Sequence, residues 1–292
     1  MKLAVLLDPI QQLKPYKDTS IAMIKRAQEL GWSCAYFTQE DLFCRQGRAF
    51  ARVYELSIGE EHSKDWATIK DLGEQPLGEF DIILMRKDPP FNIEYIYTTY
   101  FLELAEREGV LVSNNPQSLR DANEKFFTLN FPQCCPTTLV SRNIKKLKSF
   151  WEEHQQVIFK PLEGMGGNSV FHVEEHGRNL AVILEVLTNN QTQTIIAQRY
   201  IPEIKTAGDK RILLINGEPV PYALARIPAQ GDLRGNLAAG ARGEVVAITA
   251  RDRWIAEQIA PSLKAKREIQ NETKLDIAGD YLLCLEKMRS GL

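Results

Sequence analysis

Lys160-Pro161-Leu162-Glu163-Gly164-Met165-Gly166-Gly167-Asn168-Ser169 is the stretch that decides the fold. The apolar run Val157-Ile158-Phe159 leads into it, and Val170-Phe171-His172-Val173 leads out. The simplest reading is strand, glycine loop, strand. Three glycines in four positions let a backbone turn tightly and bring bare N–H groups close to an anion. Lys160, at the end of the entering strand, adds a cation at the same place. A plain hairpin turn would use the same glycines, so the meaning of the loop depends on what surrounds it.

Upstream, residues 3–7 form a buried-strand pattern that Asp8-Pro9 turns aside. Thr19 or Ser20 can cap a helix running to about Leu30, with Ile21, Ile24, Ala27 and Leu30 on one face and Gly31 as its stop. Residues 34–37 are the next strand, so the chain opens with strand–helix–strand, the signature of a parallel sheet. Residues 44–56 suggest a hairpin. Residues 81–85 form another strand, ended by Arg86-Lys87-Asp88-Pro89-Pro90. A helix over 94–108 and a strand over 110–113 complete an open α/β domain. Ligands of such sheets gather at the carboxyl ends of strands, where Asp8 and Arg86–Asp88 lie.

The next segments read as a helix over 118–129, an extended piece over 136–141 and a helix over 145–153. Beyond the glycine loop come a helix over 180–187 and a strand over 194–198. Residues 212–215 and 220–225 flank Asn216-Gly217, a strong hairpin signal. Pro219 and Pro221 point to an edge strand. Residues 231–243 hold four glycines with Arg234, Asn236 and Arg242, a loop pattern that suits function better than structure. Helices are expected over 252–266 and 273–288.

Composition narrows the function classes. The 292 residues carry a net charge of -2, which gives no reason to expect a nucleic-acid partner. Five cysteines at irregular spacing and four histidines argue against a zinc site and suit a reducing, cytoplasmic compartment. No run approaches the roughly 18–20 apolar residues of a membrane span. Gly-x-x-x-x-Gly-Lys-Ser/Thr and Gly-x-Ser-x-Gly are absent, and no Gly-x-Gly-x-x-Gly follows the first strand. The cations Lys125, Lys160, Lys210, Arg211, Arg226, Arg234 and Arg242 near glycine loops or strand ends suit a ligand with phosphates and a carboxylate. An antiparallel sheet with a lysine and a glycine-rich lid, following an α/β domain, is the layout of an ATP-grasp ligase.

The sequence resembles the prokaryotic glutathione synthetases of that superfamily. The resemblance rests on Met85-Arg-Lys-Asp-Pro-Pro-Phe91, Asn115-Pro-Gln-Ser-Leu-Arg-Asp-Ala-Asn-Glu-Lys125, Lys160-Pro-Leu-Glu-Gly-Met-Gly-Gly167, Gly208-Asp-Lys-Arg211, Gly217-Glu-Pro-Val-Pro-Tyr222, Ala225-Arg-Ile-Pro228 and Arg234-Gly-Asn-Leu-Ala-Ala-Gly240, in order. It implies an N-terminal open parallel-sheet domain over 1–121. A two-lobed α+β ATP-grasp domain with antiparallel sheets follows over 122–292, its lid lobe about 125–200 and its C-terminal lobe about 201–292. It also implies ATP-dependent joining of γ-glutamylcysteine to glycine through an acyl phosphate, with ATP and Mg2+ or Mn2+ as cofactors, in a homo-oligomer. By the same resemblance Lys125 and Lys160 contact phosphates, and Gly164, Met165, Gly166, Gly167 and Ser169 close over them. Gln198, Arg199, Tyr200 and Ile201 are the hinge at the adenine edge. Arg211 and Arg226 act in catalysis with Arg234 and Asn236 holding acyl phosphate and carboxylates, and Arg86, Lys87 and Asp88 serve the peptide end. The alternatives are another ATP-grasp carboxylate–amine ligase and a non-catalytic nucleotide-binding relative.

The resemblance breaks late in the chain. The family holds magnesium on a strand reading roughly Asp-(apolar)-x-Gly-Asp, then Glu-Ile-Asn-Val-Thr-Ser-Pro-Thr, and this stretch is not present. Leu275-Asp-Ile-Ala-Gly-Asp-Tyr-Leu282 resembles its first part. The following Leu283-Cys-Leu-Glu-Lys287 does not continue it, and Ile277, Tyr281, Leu285 and Met288 fall at helical spacing. Arg267-Glu-Ile269 instead matches the segment just after the metal strand. Roughly two dozen residues are therefore missing between Lys266 and Arg267, judged against a complete metal strand and its turns. A skipped segment is expected at that junction, which a Cα separation well beyond roughly 3.8 Å would reveal. An ordinary bond there means true loss, and with it weak or absent ligase activity. The metal ligands stay unassigned.

Overall fold

The computed structural model describes residues 1–268, apart from 61, 64, 88–89, 164–166, 216, 232–233, 236 and 238–239, and apart from the side chains of Lys17 and residues 266–268. Asp88, Gly164, Met165, Gly166, Asn236 and the helix expected over 273–288 thus lie outside the described residues. The chain forms two compact units, Met1–Asp121 and Ala122–Leu292.

The first unit runs β1 (Lys2–Leu6), α1 (Thr19–Glu29), β2 (Ser33–Phe37), β3 (Leu42–Arg45), β4 (Arg48–Ile58), β5 (Ala67–Pro76), β6 (Ile82–Met85), α2 (Ile93–Arg107), β7 (Leu111–Ser113) and α3 (Pro116–Asp121). Its sheet has the order β3-β4-β2-β1-β6-β7, with β5 paired to β4. β2, β1, β6 and β7 are parallel, while β3, β4 and β5 add antiparallel ladders. β1 is central, so it is apolar on both faces, and Leu3 to Leu7 are at most 2% exposed. β5 carries Lys70, Asp71 and Glu74 and has no apolar alternation to announce it; its ladder with β4 supplies what its side chains do not. The cap of α1 is Asp18 rather than Thr19 or Ser20. Its carboxylate accepts from the backbone N–H groups of Ser20 (2.8 Å) and Ile21 (3.2 Å).

The helix expected over 118–129 divides. α3 ends at Asp121, and Asn123 Oδ1 then accepts from the N–H groups of Lys125 (3.1 Å) and Phe126 (2.9 Å). That side-chain turn competes with helical pairing and breaks the run.

The second unit contains β8 (Thr138–Ser141), α4 (Ile144–His154), β9 (Val157–Pro161), β10 (Phe171–Val173), α5 (Leu180–Leu187), β11 (Ile195–Arg199), α6 (Ile204–Ala207), β12 (Asp209–Ile215), β13 (Glu218–Ile227), β14 (Arg242–Ala247) and α7 (Ala250–Glu268). One antiparallel sheet has the order β10-β9-β11-β8 and the other β12-β13-β14. The first buries Val157, Phe159, Val173, Ile195 and Ala197 against Leu147 and Phe150 of α4 and Leu180, Leu184 and Leu187 of α5. Fully burying Phe159 alone contributes about 2–3 kcal/mol. The second buries Ile212, Leu214 and Ala223 against Ile255, Ala256, Ile259 and Leu263 of α7.

One expectation is corrected here. β13, which carries Pro219 and Pro221, is the central strand of its sheet rather than an edge. Both prolines sit at its turn end, and pairing with β14 begins only at Tyr222. Pro221 contributes a carbonyl, which accepts from Ile248 N–H (3.1 Å), so its missing donor costs no ladder bond. α7 spans Lys266 and Arg267 as one helix.

Candidate nucleotide and acyl-transfer site

In the first unit, β1 and β6 end side by side, because Leu6 pairs with Met85. With Asp18 capping α1, the hydroxyls of Thr19 and Ser20 are left to accept from Arg86: Nη2 to Thr19 at 2.8 Å and Nε to Ser20 at 3.0 Å. Lys87 Nζ is 2.7 Å from Asp8 Oδ1. Arg86, Lys87 and Asp8 therefore meet at the carboxyl ends of parallel strands.

In the second unit, the pleat of the β10-β9-β11-β8 sheet sorts the site residues. Phe159 and Val157 face the helices, so Ile158 and Lys160 face the other way. Gln198 pairs with Ile158 and Ile196 with Lys160, which puts Gln198 on the same face. Lys160 is 2% exposed, and burial, then the nearby charge of Lys125, pushes its ammonium well below the usual lysine range. Lys125 Nζ donates to Leu162 O and to Glu124 Oε1, both at 3.1 Å. Burial lowers the Lys125 pKa to about 8, against a smaller raising effect of Glu163. Two ammoniums held in partial desolvation beside each other favour a multivalent anion between them.

At the end of β11, Arg199 is exposed and Ile201 half-buried, while Gln198 and Tyr200 are buried. Gln198 Nε2 donates to Thr138 Oγ1 (3.0 Å), and that hydroxyl donates to Pro136 O (2.7 Å). These bonds fix the carboxamide, so that Gln198 Oε1 is presented as a buried acceptor with no partner among the described residues.

On the β12-β13-β14 sheet, Arg211 pairs with Leu224 and Arg226 with Asp209, so both arginines lie on the face opposite α7. Arg226 Nε donates to Asp209 Oδ1 at 3.2 Å, and Nη2 bonds the other carboxylate oxygen. Burial raises the Asp209 pKa, opposed by Arg226 and more weakly by Arg211. A Cβ on Gly235 would run into Asp209 Oδ1, so the arginine-bearing glycine loop lies directly on this pair. Gly167 has φ +76° and abuts Arg234, while Ser169 is exposed with φ +58°. The fold thus gathers Lys125 with Lys160, and Gly167 with Arg234. Asp209 was not singled out from the sequence, although it stands beside Lys210 and Arg211 in the quoted Gly208-Asp-Lys-Arg211 motif.

Three carboxylates near these cations are already engaged. Glu124 pairs with Lys125 and Asp209 with Arg226. Asp252 pairs with Lys210 at 2.8 Å and caps α7 by accepting from Thr249 N–H. Among the described residues, no group of three or more His, Cys, Asp or Glu could hold a metal ion. The described residues therefore offer no all-protein cage for a divalent cation. No helix among them is long and apolar enough to cross a membrane.

Comparison with known proteins finds relatives along most of the chain. Residues 1–120 match the family "Prokaryotic glutathione synthetase, N-terminal domain", and 124–286 match "Prokaryotic glutathione synthetase, ATP-grasp domain". The glutathione synthetase of Pseudomonas aeruginosa is 52% identical over 97% of this chain and 88% of its own length. That of Escherichia coli is 50% identical over the same shares. The crystal structure of D-cycloserine synthetase DcsG matches with a TM-score of 0.62 at 13% identity, covering 92% of this chain and 82% of that one, a likeness of fold.

Proposed function

The chain belongs to the prokaryotic glutathione synthetase family, and from that premise we propose that it joins γ-glutamylcysteine to glycine through an acyl phosphate. Membership and the named relatives support ATP-dependent glutathione synthesis and imply use of ATP on small-molecule substrates. In the proposed reaction the carboxylate of γ-glutamylcysteine attacks the terminal phosphorus of ATP and ADP leaves. The glycine amine then attacks the acyl carbon, phosphate departs, and the amine gives up a proton.

The observation that carries this reading is the pairing of buried Lys160 with Lys125 at the root of the glycine loop. Both ammoniums would neutralise phosphate oxygens as charge shifts between them. Gly164–Ser169 would close over the phosphates and keep water from the acyl phosphate. Gln198 to Ile201 would border the base, with Gln198 Oε1 accepting from an exocyclic amine. Arg211, Arg226, Arg234 and Asn236 would hold the acyl phosphate and substrate carboxylate, and Arg86, Lys87 and Asp88 the peptide substrate. No step is assigned to Mg2+, because the described donors do not form its site. Family likeness alone extends the reading to a homo-oligomer in the cytoplasm.

A second reading, a relative that binds nucleotide without turning it over, is favoured by one observation. α7 runs unbroken where the resemblance places the metal strand. Incubation with ATP, γ-glutamylcysteine, glycine and magnesium, followed by measurement of ADP and glutathione, separates the two. Glutathione formed in step with ADP supports the ligase, and ATP binding without ADP release supports the second reading.

A further inference from the structure

The sheet face that carries Lys160 holds one more polar group that no step above uses. His172 of β10 pairs with Ile158 of β9, which pairs with Gln198 of β11. Cross-strand partners share a face, so Gln198, Ile158 and His172 form one row. The outer two are about 10 Å apart at their backbones, two strand spacings. His172 Nε2, Gln198 Oε1 and the hydroxyl of Tyr200 are buried, and none has a hydrogen-bond partner among the described residues. Tyr200 stacks on His172 with ring centroids 4.0 Å apart and planes 29° apart, and packs with Ile158 and Ile204.

Buried polar atoms without partners are costly, each by about 1–3 kcal/mol. Two of them at opposite ends of an apolar floor describe the complement of a heteroaromatic ring, which has an apolar face and a polar edge. Lys160, two residues along β9 from Ile158, would place the phosphates beside that ring.

We propose that His172 is a nucleoside-contacting residue, its Nε2 meeting the base across Ile158 from Gln198, with Tyr200 holding the imidazole in place. This rests on the reading of the cleft as an ATP site. Burial favours the neutral imidazole, which offers one donor and one acceptor.

The test is calorimetric titration of wild type and His172→Phe with ATP and with inorganic tripolyphosphate. Phenylalanine keeps the stack on Tyr200 and removes both nitrogens. ATP should bind the variant about fivefold to tenfold more weakly, the loss of one net hydrogen bond, while tripolyphosphate binding is unchanged. Equal ATP affinity in both proteins, or an equal loss for both ligands, overturns the proposal. Wild type that binds no ATP overturns it together with the ATP-site reading. A measurement on wild type alone guards against a variant that misfolds: the 15N resonance of His172 Nε2 should move toward its hydrogen-bonded position with ATP but not with tripolyphosphate. A resonance that ignores ATP overturns the proposal.

Discussion

Gly167 lies directly against Arg234: a Cβ on Gly167 would stand 2.9 Å from Arg234 Cδ. Two glycine loops far apart in sequence therefore touch at a point where one has no side chain and the other has its cation. Replacing Gly167 with alanine forces a side chain into φ +76°, a strain of about 1–2 kcal/mol, and displaces Arg234. Gly167→Ala is expected to lower kcat/KM at least tenfold while shifting Tm by only a few degrees. Double-mutant analysis with Arg234→Ala checks the mechanism. The two losses should fail to add, and full additivity would show that Gly167 does not act through Arg234.

The Asp209–Arg226 pair yields a stability test. Asp209 is 2% exposed and its pKa is raised by burial, so it depends on Arg226 for charge compensation. Removing one partner of such a buried pair costs about 3–5 kcal/mol, mainly through the stranded charge. Arg226→Met should lose that much in urea unfolding, and Asp209→Asn in the same chain should restore a large part. A loss below about 1 kcal/mol would show that Arg211 already compensates the carboxylate.

The elements legible in the sequence share a physical pattern. Apolar periodicity located β1, α1, α2 and α5, because each buries one stripe or both faces. The hairpin expected from the Asn-Gly signal is there, because β12 and β13 pair from Ile215 and Glu218 and Gly217 takes φ +79°. Polar β5 escaped because a strand can be held by its backbone ladder alone. The prolines of β13 misled because local chemistry signals a missing donor but not which ladder would have needed it. Lys125, Lys160 and the arginines were visible as charges near glycines. Asp209 was not, since a carboxylate inside a cluster of cations looks like part of a solvated run until the fold buries it. The row of Gln198, Ile158 and His172 depends on register between three strands, which no local signal encodes.

The lysine pair makes nucleotide binding depend on pH in a definite direction. The Lys125 pKa is about 8 in the fold against 10.5 ordinarily. Between those values the unfolded chain binds more protons, so this group adds stability as pH rises through the window, and its burial cost is full below about pH 8. A bound polyphosphate favours the ammonium and reverses the shift. ATP binding should therefore take up protons above pH 8, with affinity falling by up to tenfold per pH unit. Calorimetry at pH 8.5 in two buffers of different ionisation enthalpy reads the uptake. Binding without proton uptake would mean that the phosphates do not meet Lys125.

The donor inventory bears on the metal. Glu124, Asp209 and Asp252 each face a cation of their own, so recruiting any of them to a divalent ion would leave Lys125, Arg226 or Lys210 uncompensated. The protein without nucleotide should accordingly bind Mn2+ no more tightly than about 1 mM, the range of weak oxygen-ligand sites, as read from the free-ion signal in paramagnetic resonance. ATP affinity should fall less than threefold when magnesium is replaced by EDTA, since the cations rather than a bridging ion supply the binding. A micromolar Mn2+ site would instead require carboxylates outside the described residues. Asp276, Asp280 and Glu286 are the acidic candidates from the stretch already compared with the metal strand. Asp276→Asn and Asp280→Asn would then abolish that site, and the ligase reading would gain the ion that the described residues do not hold.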